Sequence, residues 1–342
     1  MSDKPVGLGV IGYGHFIRTN FILHLRKCAA IRIVGVYNRG EDRRRQIVED
    51  GYRVFPEIND MLACPDVEAV LVGTANAAHK EQAILAARAG KHIICEKPMA
   101  LGIAEANEMV EVAARAGVIT HVNHPGPYGP EFVLFRDLCR QHAGRVLHFW
   151  SHHSRAFGLW VQGAQHGAVA HPEDSGGWIF HHTCHALNTA CLIAGSSRAT
   201  RVYTIAQKSC PAAPSEEMVN ALITFDNGVT ASLSDGTPLG QRDDMGVQGT
   251  AGDLRMTNNI ITVDQPGPVD PTGRPGQKTH QIQKFPAPAT GKNLEATGYR
   301  FAEAVRGGKN ELLSFAFIRD QYRILDAMRE SARTGNAVTP EA

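Results

Sequence analysis

The stretch VGLGVIGYGHF, residues 6–16, decides the fold of the first part of the chain. Its apolar start predicts a buried strand, and Gly12-Tyr13-Gly14 ends that strand and opens a helix. Gly12 permits a tight turn, while Gly14 lets the backbone approach a pyrophosphate at the helix N-terminus. Ordinary strand-to-helix turns also contain glycine, but the position of this turn in the first strand–helix unit favours a dinucleotide-binding turn.

Apolar runs and helical stretches alternate from residue 6 to about residue 122. Such alternation is typical of a parallel, doubly wound sheet. Farther along, short β-rich stretches and hairpin signals predict an antiparallel sheet, interrupted by a helix over residues 176–195. Two amphipathic helices end the chain, and the proline- and glycine-rich residues 266–280 predict an exposed loop.

Length and composition narrow the class of protein. The chain has 342 residues, enough for two domains of ~150 residues each. Because 35 basic residues balance 34 acidic ones, nothing favours a nucleic acid or a membrane as partner, and we expect a small-molecule substrate. The sequence gives no signal for a leader or a membrane span, so we expect a cytoplasmic protein, and its seven scattered cysteines predict reduced, buried thiols.

The stretch AGKHIICEKPMA, residues 89–100, carries the most specific signal for chemistry. Pro98 favours extended geometry for the residue before it, so we expect Lys97 at a strand end beside the carboxylate of Glu96. In an open α/β sheet, ligands bind at the carboxyl ends of the strands. Lys97 is therefore predicted to reach both a bound cofactor and its substrate.

The end of the second predicted strand bears on the choice between NAD and NADP. Where an acidic residue would hold the ribose 2′-hydroxyl of NAD, the chain has Asn38 followed by Arg39. The missing carboxylate removes repulsion against a 2′-phosphate, and arginine offers a planar set of donors for one. We therefore favour NADP, with Arg39 either a phosphate ligand or a solvated side chain, and interpret residues 43–45 as a solvated helix face.

Together these motifs resemble the glucose–fructose oxidoreductase / inositol dehydrogenase / MocA (Gfo/Idh/MocA) family of NAD(P)-dependent oxidoreductases over nearly the whole chain. The resemblance rests on GVIGYGHF at 9–16, TANAAH at 74–79, AGKHIICEKPMA at 89–100, SGGWIFHHTCH at 175–185 and VQGTAGDL at 247–254. It implies an α/β protein with an NAD(P)-binding Rossmann domain and parallel sheet over residues 1–122. An α+β domain with an open, mostly antiparallel sheet would follow over residues 123–342 and serve substrate binding and oligomerisation, as a homodimer or homotetramer.

The resemblance also assigns site residues, with nicotinamide and substrate lying between the two domains. Where a third glycine or alanine would let the first helix pack closely on the sheet, the chain has Ile17, so we expect that helix slightly farther out. Carried over to this chain, the cofactor-binding residues are Gly12, Gly14, His15, Phe16, Asn38, Arg39, Thr74, Asn76, His79, Glu96 and Lys97.

The helix over residues 176–195 departs from the family pattern. The family commonly places an aspartate and, four residues later, a histidine toward the substrate, and this chain has His181 and His185 at those positions. In one interpretation His185, with His181 near it, helps Lys97 to move a hydroxyl proton while hydride leaves the same carbon, since histidine titrates near working pH. The catalytic residues are then Lys97, His185 and His181.

Two other interpretations of the histidines stay open. His181 and His185, at i and i+4, could bind a divalent metal with help from His152 or His153, although a catalytic zinc needs three protein ligands. Alternatively, His182 and one of the strand histidines are surface or hydrogen-bonded residues. Because successive strand residues point to opposite faces, at most one of His152 and His153 is expected to face a cleft.

Three functions are compatible with these residues. We predict an NAD(P)-dependent oxidoreductase that moves hydride between nicotinamide and a secondary alcohol of a sugar, polyol or related cyclic compound. The alternative is a redox-neutral hydrolase or lyase, with or without a metal, that oxidises its substrate transiently and then reverses the oxidation. A dinucleotide-binding regulator is less favoured, because it would have no use for Lys97 and His185.

Overall fold

The computed structural model describes residues 4–155, 171–237, 242–269, 271–272, 275–284 and 292–341. The chain forms two compact units. The first comprises residues 1–128 and 289–319, and the second comprises residues 129–288 and 320–342. A segment near the C-terminus thus belongs with the first unit, whereas the division expected from the sequence runs once, after residue 122.

The first unit contains the parallel sheet that the alternating sequence pattern predicts. Its described strands are β1 (Val6–Ile11), β2 (Ile31–Tyr37), β3 (Val54–Phe55), β4 (Ala69–Val72), β5 (His92–Glu96) and β6 (Thr120–Asn123). They lie in the order β3-β2-β1-β4-β5-β6, and every neighbouring pair is parallel. This is the strand order of the Rossmann fold.

Helices alternate with these strands along the chain. Every residue of β1 and of β4 is buried, as expected for strands covered on both faces. The longest of the connecting helices ends at Gly117, whose φ of 64° is the left-handed conformation in which glycine commonly ends a helix. The helices are α1 (Ile22–Leu25), α2 (Glu41–Glu49), α3 (Ile58–Ala63), α4 (His79–Arg88) and α5 (Ile103–Ala116).

Ile17 packs tightly in this unit because a glycine lies opposite it. Ile17 is 3% exposed, in a π-helical turn, Ile17–Phe21, that precedes α1. A Cβ added at Gly73, directly after β4, would lie 2.6 Å from Cγ1 of Ile17. The small residue that the family pattern places on the helix is therefore replaced by a small residue on the strand side.

We expect Gly73→Ala to destabilise the protein by about 1–3 kcal/mol, the usual cost of overpacking a tight contact. The added methyl group would meet the outer carbons of Ile17, whereas Cβ of Ile17 lies 3.8 Å away and leaves room for it. In an Ile17→Ala background the same change should cost less or stabilise. Urea unfolding of the wild-type protein, the two single variants and the double variant measures the coupling energy between the two positions. An equal cost of Gly73→Ala in both backgrounds would contradict the packing argument.

The second unit contains an eight-stranded sheet within its described residues. Its strands are β7 (Val146–Ser154), β8 (Ala199–Gln207), β9 (Met218–Phe225), β10 (Thr230–Gly236), β11 (Arg242–Gly249), β12 (Asp253–Thr257), β13 (Ile260–Val269) and β14 (Pro275–Lys284). They lie in the order β14-β13-β12-β11-β7-β10-β9-β8. All neighbouring pairs are antiparallel except β7 and β10, which are parallel. The mostly antiparallel sheet predicted from the sequence is confirmed.

The prediction of an exposed loop over residues 266–280 is wrong for the part of it that the structure describes. β13 runs to Val269 and β14 begins at Pro275, and the two pair as an antiparallel hairpin. The pairing shifts register between Pro266 and Val269, where a bulge accommodates the prolines. β14 lies at the edge of the sheet, a place where proline and glycine are tolerated.

The remaining helices complete both units. The last helix of the chain includes residues of both units, which divide between residues 319 and 320. None of the seven cysteines, all of which lie in described segments, forms a disulfide. Across the described ranges, no helix combines the length and apolar character needed to cross a membrane. These helices are α6 (Pro130–His142), α7 (Pro172–Ser175), α8 (Cys184–Ala194), α9 (Lys292–Val305) and α10 (Phe315–Thr334).

Candidate active site

The glycine turn after β1 is tight at one glycine and open at the next. Gly12 has a φ of +99°, which L side chains rarely adopt, and a Cβ there would lie 2.6 Å from the carbonyl oxygen of Gly73. A Cβ at Gly14 would meet no atom within 4 Å. His15 and Phe16 follow at the helix start and are both exposed. The backbone of Gly14 is therefore accessible to a bound pyrophosphate.

In the loop after β2, Arg44 and Arg39 differ in their contacts. Asn38 Oδ1 accepts a hydrogen bond from the Gly40 N–H at 2.9 Å, and Arg44 Nε donates to the Asn38 carbonyl at 2.7 Å. Arg44 also donates to the carbonyl of Pro56 at 3.0 Å, so its side chain holds the loop. Arg39 is exposed at the tip. Arg39, rather than Arg44, is therefore available to a ligand of this loop.

His79 connects two segments at the carboxyl edge of the parallel sheet. It is fully buried at the start of α4, with Nδ1 2.9 Å from the Pro98 carbonyl oxygen and Nε2 3.2 Å from that of Thr74. Burial lowers the pKa of His79, so the ring is neutral and donates to one carbonyl at a time. His79 therefore holds the backbone next to Lys97, while Thr74 and Asn76 are partly exposed and accessible to a cofactor.

Glu96 ends β5 as a buried carboxyl group, 7% exposed. Its Oε1 accepts a hydrogen bond from Asn123 Nδ2 at 2.6 Å, and its Oε2 accepts one from the Lys97 backbone N–H at 3.3 Å. Burial raises the pKa of Glu96 to about 7, although the charge of Lys97 and the bond from Asn123 oppose the rise. A carboxyl group that exchanges its proton near neutral pH thus lies beside Lys97, which is itself half-buried.

The raised pKa of Glu96 predicts a pH-dependent loss of stability. Between the ordinary pKa of 4.5 and about 7, the unfolded chain loses this proton while the folded chain keeps it. The stability contributed by protonated Glu96 is full below the ordinary pKa and is lost as pH rises through about 7, a change on the order of 3 kcal/mol. We expect Glu96→Gln to remove this decline in urea unfolding at pH 5 and pH 8, and an unchanged decline would contradict the assignment.

His124 also lies at this edge, although no motif in the sequence indicates it. Glu96 and Asn123 are partners in the parallel register of β5 and β6, so Lys97 and His124 come next on adjacent strand ends. Burial lowers the pKa of His124 to about 3, and the positive charge of Lys97 contributes to the shift. His124 is therefore a neutral imidazole near Lys97. The rule that parallel strands end at one edge could have identified it, because it directly follows the last apolar run of the alternating pattern.

In the second unit, the imidazole of His153 on β7 lies between two carboxylates, one on each of the neighbouring strands β10 and β11. Asp235 of β10 and Asp243 of β11 both pair with His153 of β7 in the register of the sheet. His153 Nδ1 is 2.7 Å from Asp235 Oδ1, and its Nε2 is 3.1 Å from Asp243 Oδ1. Because ionised carboxylates only accept hydrogen bonds, both ring nitrogens carry protons and His153 is an imidazolium. With His182, these residues form what we name the His–Asp cluster.

Asp235 lies at the centre of the His–Asp cluster and is fully buried. Its Oδ2 accepts hydrogen bonds from Trp178 Nε1 at 3.0 Å and from Thr183 Oγ1 at 2.7 Å. His182 Nδ1 lies 3.6 Å from Oδ1, and its ring stacks on Trp178 with the centroids 4.4 Å apart. One carboxylate of β10 therefore holds both ends of the segment 178–183.

In the His–Asp cluster, opposite charges raise the pKa of the imidazole of His153 and lower the pKa of the carboxyl group of Asp235. Burial alone would lower the pKa of His153, but its hydrogen bonds to Asp235 and Asp243 outweigh burial and raise it. Burial alone would raise the pKa of Asp235, but the bond from His153 and the neighbouring His182 hold it well below its usual range. Arg155, 2.7 Å from Asp243, adds a second positive charge. The cluster is thus a set of ion pairs.

The three histidines of residues 181–185 have different environments. His182 is buried, whereas His181 and His185 are partly exposed. The segment Ile179–Thr183 is π-helical and leads into α8. Such turns are frequent at functional sites, and the cofactor turn is likewise followed by one. His181 and His185 are therefore accessible to a ligand, while His182, which lies between them in the sequence, is part of the His–Asp cluster.

The strand order and the glycine turn define a dinucleotide-binding Rossmann domain, and the family matches make the protein an NAD(P)-dependent oxidoreductase that acts on CH–OH groups. A model of an oxidoreductase family with an NAD-binding Rossmann fold, GFO_IDH_MocA, matches residues 6–124. The model of the GFO/IDH/MocA C-terminal domain matches residues 136–255. The chain belongs to the Gfo/Idh/MocA family, as its motifs predict.

Individual relatives agree with this assignment. The chain is 31% identical over 232 residues to a 1,5-anhydro-D-fructose reductase of Ensifer adhaerens, covering 67% of this chain and 68% of the relative. It is 30% identical over 181 residues to a 2,7-anhydro-N-acetylneuraminate hydratase of Mediterraneibacter gnavus, covering 52% and 47%. A levoglucosan dehydrogenase solved with NADH and L-sorbose has a TM-score of 0.85 at 20% identity, over 99% of each chain, which shows a shared fold.

Proposed function

We propose that this protein transfers hydride between nicotinamide and a secondary alcohol of a sugar, polyol or related cyclic compound. The observation that carries the proposal is a single edge of the parallel sheet. Gly12 follows β1, Thr74 follows β4 and Lys97 follows β5, and these three strands are adjacent. Ligands of open α/β sheets bind at such carboxyl ends. The names of the reductase and the levoglucosan dehydrogenase support a cyclic sugar-like substrate.

In this proposal the residues have distinct tasks. The Gly12 and Gly14 turn, with His15 and Phe16, holds the dinucleotide. Lys97 takes up or returns the hydroxyl proton while hydride moves at the same carbon, and Glu96 adjusts the charge beside it. His185 is the further acid–base group that the family resemblance suggests, and His181, at the position of the family's aspartate, is a second one. Nicotinamide, when bound, supplies the hydride acceptor or donor.

A panel of sugars, anhydrosugars, inositols and other polyols, tested with NAD⁺ and NADP⁺, examines the proposal. We expect absorbance of the reduced cofactor to appear with a subset of these alcohols, in amounts equal to the ketone formed. Cofactor binding without turnover across the panel would instead favour a dinucleotide-binding regulator.

For the cofactor, we propose a preference for NADP through Arg39. Replacing Arg39 by alanine should lower kcat/KM for NADP⁺ by about 10-fold or more, the value of one lost charge-assisted hydrogen bond, and leave NAD⁺ unaffected. Arg43 is a matched control, because it is also exposed and its side chain binds Gln46 at 2.6 Å. Steady-state kinetics with both cofactors measures the ratio, and equal losses for NAD⁺ and NADP⁺ would remove the basis for the preference.

A redox-neutral reaction is a second candidate, supported by the hydratase relative and by His181 in place of the family's aspartate. Transient oxidation acidifies the neighbouring C–H bond, a leaving group departs or water adds, and the hydride then returns. Product formation without net reduced cofactor, and only in the presence of the dinucleotide, would establish this reaction in place of net oxidation.

We also propose a homodimer or homotetramer formed through the eight-stranded sheet. Tyr203 and Leu222 are direct partners on β8 and β9 and are 37% and 58% exposed, next to Ile205 at 47%. Apolar side chains paired on an exposed sheet surface favour association. Light scattering of the purified chain gives the number of subunits.

A further inference from the structure

We propose that the His–Asp cluster binds a divalent transition-metal ion of the zinc type. His153, His182 and Asp235 each offer one ligand atom, and these atoms lie within 4.8 Å of one another. Two imidazole nitrogens with one carboxylate oxygen suit zinc and its neighbours, whereas magnesium and calcium prefer oxygen ligands alone. The inference concerns metal binding in the second unit and does not rest on the reaction proposed above.

The spacing of the ligand atoms fits such an ion. With metal–ligand bonds of ~2.0–2.1 Å, two ligands of a tetrahedral site are about 3.3 Å apart. Asp235 Oδ1 lies 2.7 Å from His153 Nδ1 and 3.6 Å from His182 Nδ1, on either side of that value. Three protein ligands leave one tetrahedral position for water or another small ligand.

The groups around the ligands are those that orient metal ligands in proteins. A metal-bound histidine commonly donates its other ring N–H to a carboxylate, and His153 Nε2 does so to Asp243 at 3.1 Å. A ligating carboxylate is itself hydrogen-bonded, and Asp235 Oδ2 accepts from Trp178 and Thr183. Asp235 therefore keeps Oδ1 directed at the two imidazoles without help from the metal.

Binding would exchange a proton for the metal ion. In the structure the Nδ1 proton of His153 lies between that nitrogen and Asp235 Oδ1. The ion takes this position, and each ring binds it through an unprotonated Nδ1 while keeping its proton on Nε2. His153 thus becomes neutral, and the displaced protons leave to solvent with no change of oxidation state. Asp235 and Asp243 supply negative charge for the cation. The i, i+4 spacing in the sequence indicates His181 and His185 as metal candidates, whereas this site uses His182 from the same segment.

Zinc titration by calorimetry on the chelator-treated, full-length protein tests the proposal. We expect one equivalent to bind, with affinity at least about 100-fold weaker in His153→Gln and His182→Phe, and about 10-fold to 100-fold weaker in Asp243→Asn. In His182→Phe, the new aromatic ring can still stack on Trp178 but offers no ligand atom. The matched control is His148→Gln, on the same strand, whose ring contacts Thr230 and Ser232 at 2.8 and 3.1 Å and should not matter.

Two results would overturn the site: no saturable zinc binding by the wild-type protein, or equal affinity in the wild-type protein and both ligand variants. If the ligand variants fail to fold, X-ray absorption at the zinc edge of the wild-type protein decides. Scattering from two imidazoles and oxygen supports the cluster, and thiolate or purely oxygen ligation places the metal elsewhere.

Discussion

Replacing Lys97 by alanine is expected to lower kcat/KM by about 100-fold to 10,000-fold, the contribution of a positioned proton-transfer group. The half-buried lysine directly follows β5, where its charge acts on buried Glu96 and His124. Alanine removes the group that we propose exchanges the hydroxyl proton and leaves the glycine turn proposed to hold the dinucleotide. Steady-state rates on an active alcohol, together with cofactor affinity from reduced-cofactor fluorescence, separate the two effects.

Lys97→Arg distinguishes proton transfer from charge alone. Arginine keeps the positive charge but does not give up its proton, so the variant should be nearly as slow as alanine. Lys80, a surface lysine of α4 that pairs with Glu108 at 3.5 Å, provides a control that should retain full activity as Lys80→Ala. Full turnover of Lys97→Ala with unchanged cofactor affinity would refute the assigned role, and an active Lys97→Arg would limit that role to electrostatics.

The parallel sheet was predictable because its signals are local. Each strand is a short apolar run, each connecting helix has its own periodicity, and stops such as Gly117 are marked by glycine. Residues 266–280 show the limit of this reasoning. Proline and glycine there indicated a loop, but the sheet edge and a bulge allow them inside a hairpin, and neither feature can be recognised without the strand order.

The sequence predicts only those residues of the candidate site whose role follows from neighbours in the same segment of the chain. Gly12 and Lys97 each lie in a motif whose neighbours along the chain explain it, whereas Gly73 matters because Ile17 is opposite. Asp235 had no local signal at all, since SLSDG, residues 232–236, is ordinary sequence for a strand. Its importance comes from the parallel pairing of β10 with β7, two strands that are far apart along the chain.

Asp235→Asn is expected to destabilise the chelator-treated protein by about 3 kcal/mol, the lower end of the cost of breaking a buried ion pair. Asparagine keeps the shape of the side chain and an acceptor for Trp178 and Thr183, but it deprives His153 of one of its two carboxylates. Asp226 is a matched control, because its pair with Arg198 at 3.0 Å is partly exposed and its asparagine variant should cost less than about 1 kcal/mol. Urea unfolding gives both values.

The cost of Asp235→Asn should also depend on pH, in a direction set by the two pKa shifts. The pKa of His153 is raised, so its contribution is full below the ordinary value of about 6.5 and is lost as pH rises through the folded-state value. The pKa of Asp235 is lowered, so its contribution is full above the ordinary value of about 3.8 and is lost as pH falls through the folded-state value. The cost should therefore be largest between about pH 4 and 6.5 and should fall once the pH exceeds the folded-state pKa of His153. A cost that stays constant while His153 is seen by NMR to lose its proton would show that attraction to the His153 imidazolium is not its cause, and that the hydrogen bonds from Trp178 and Thr183 account for it instead.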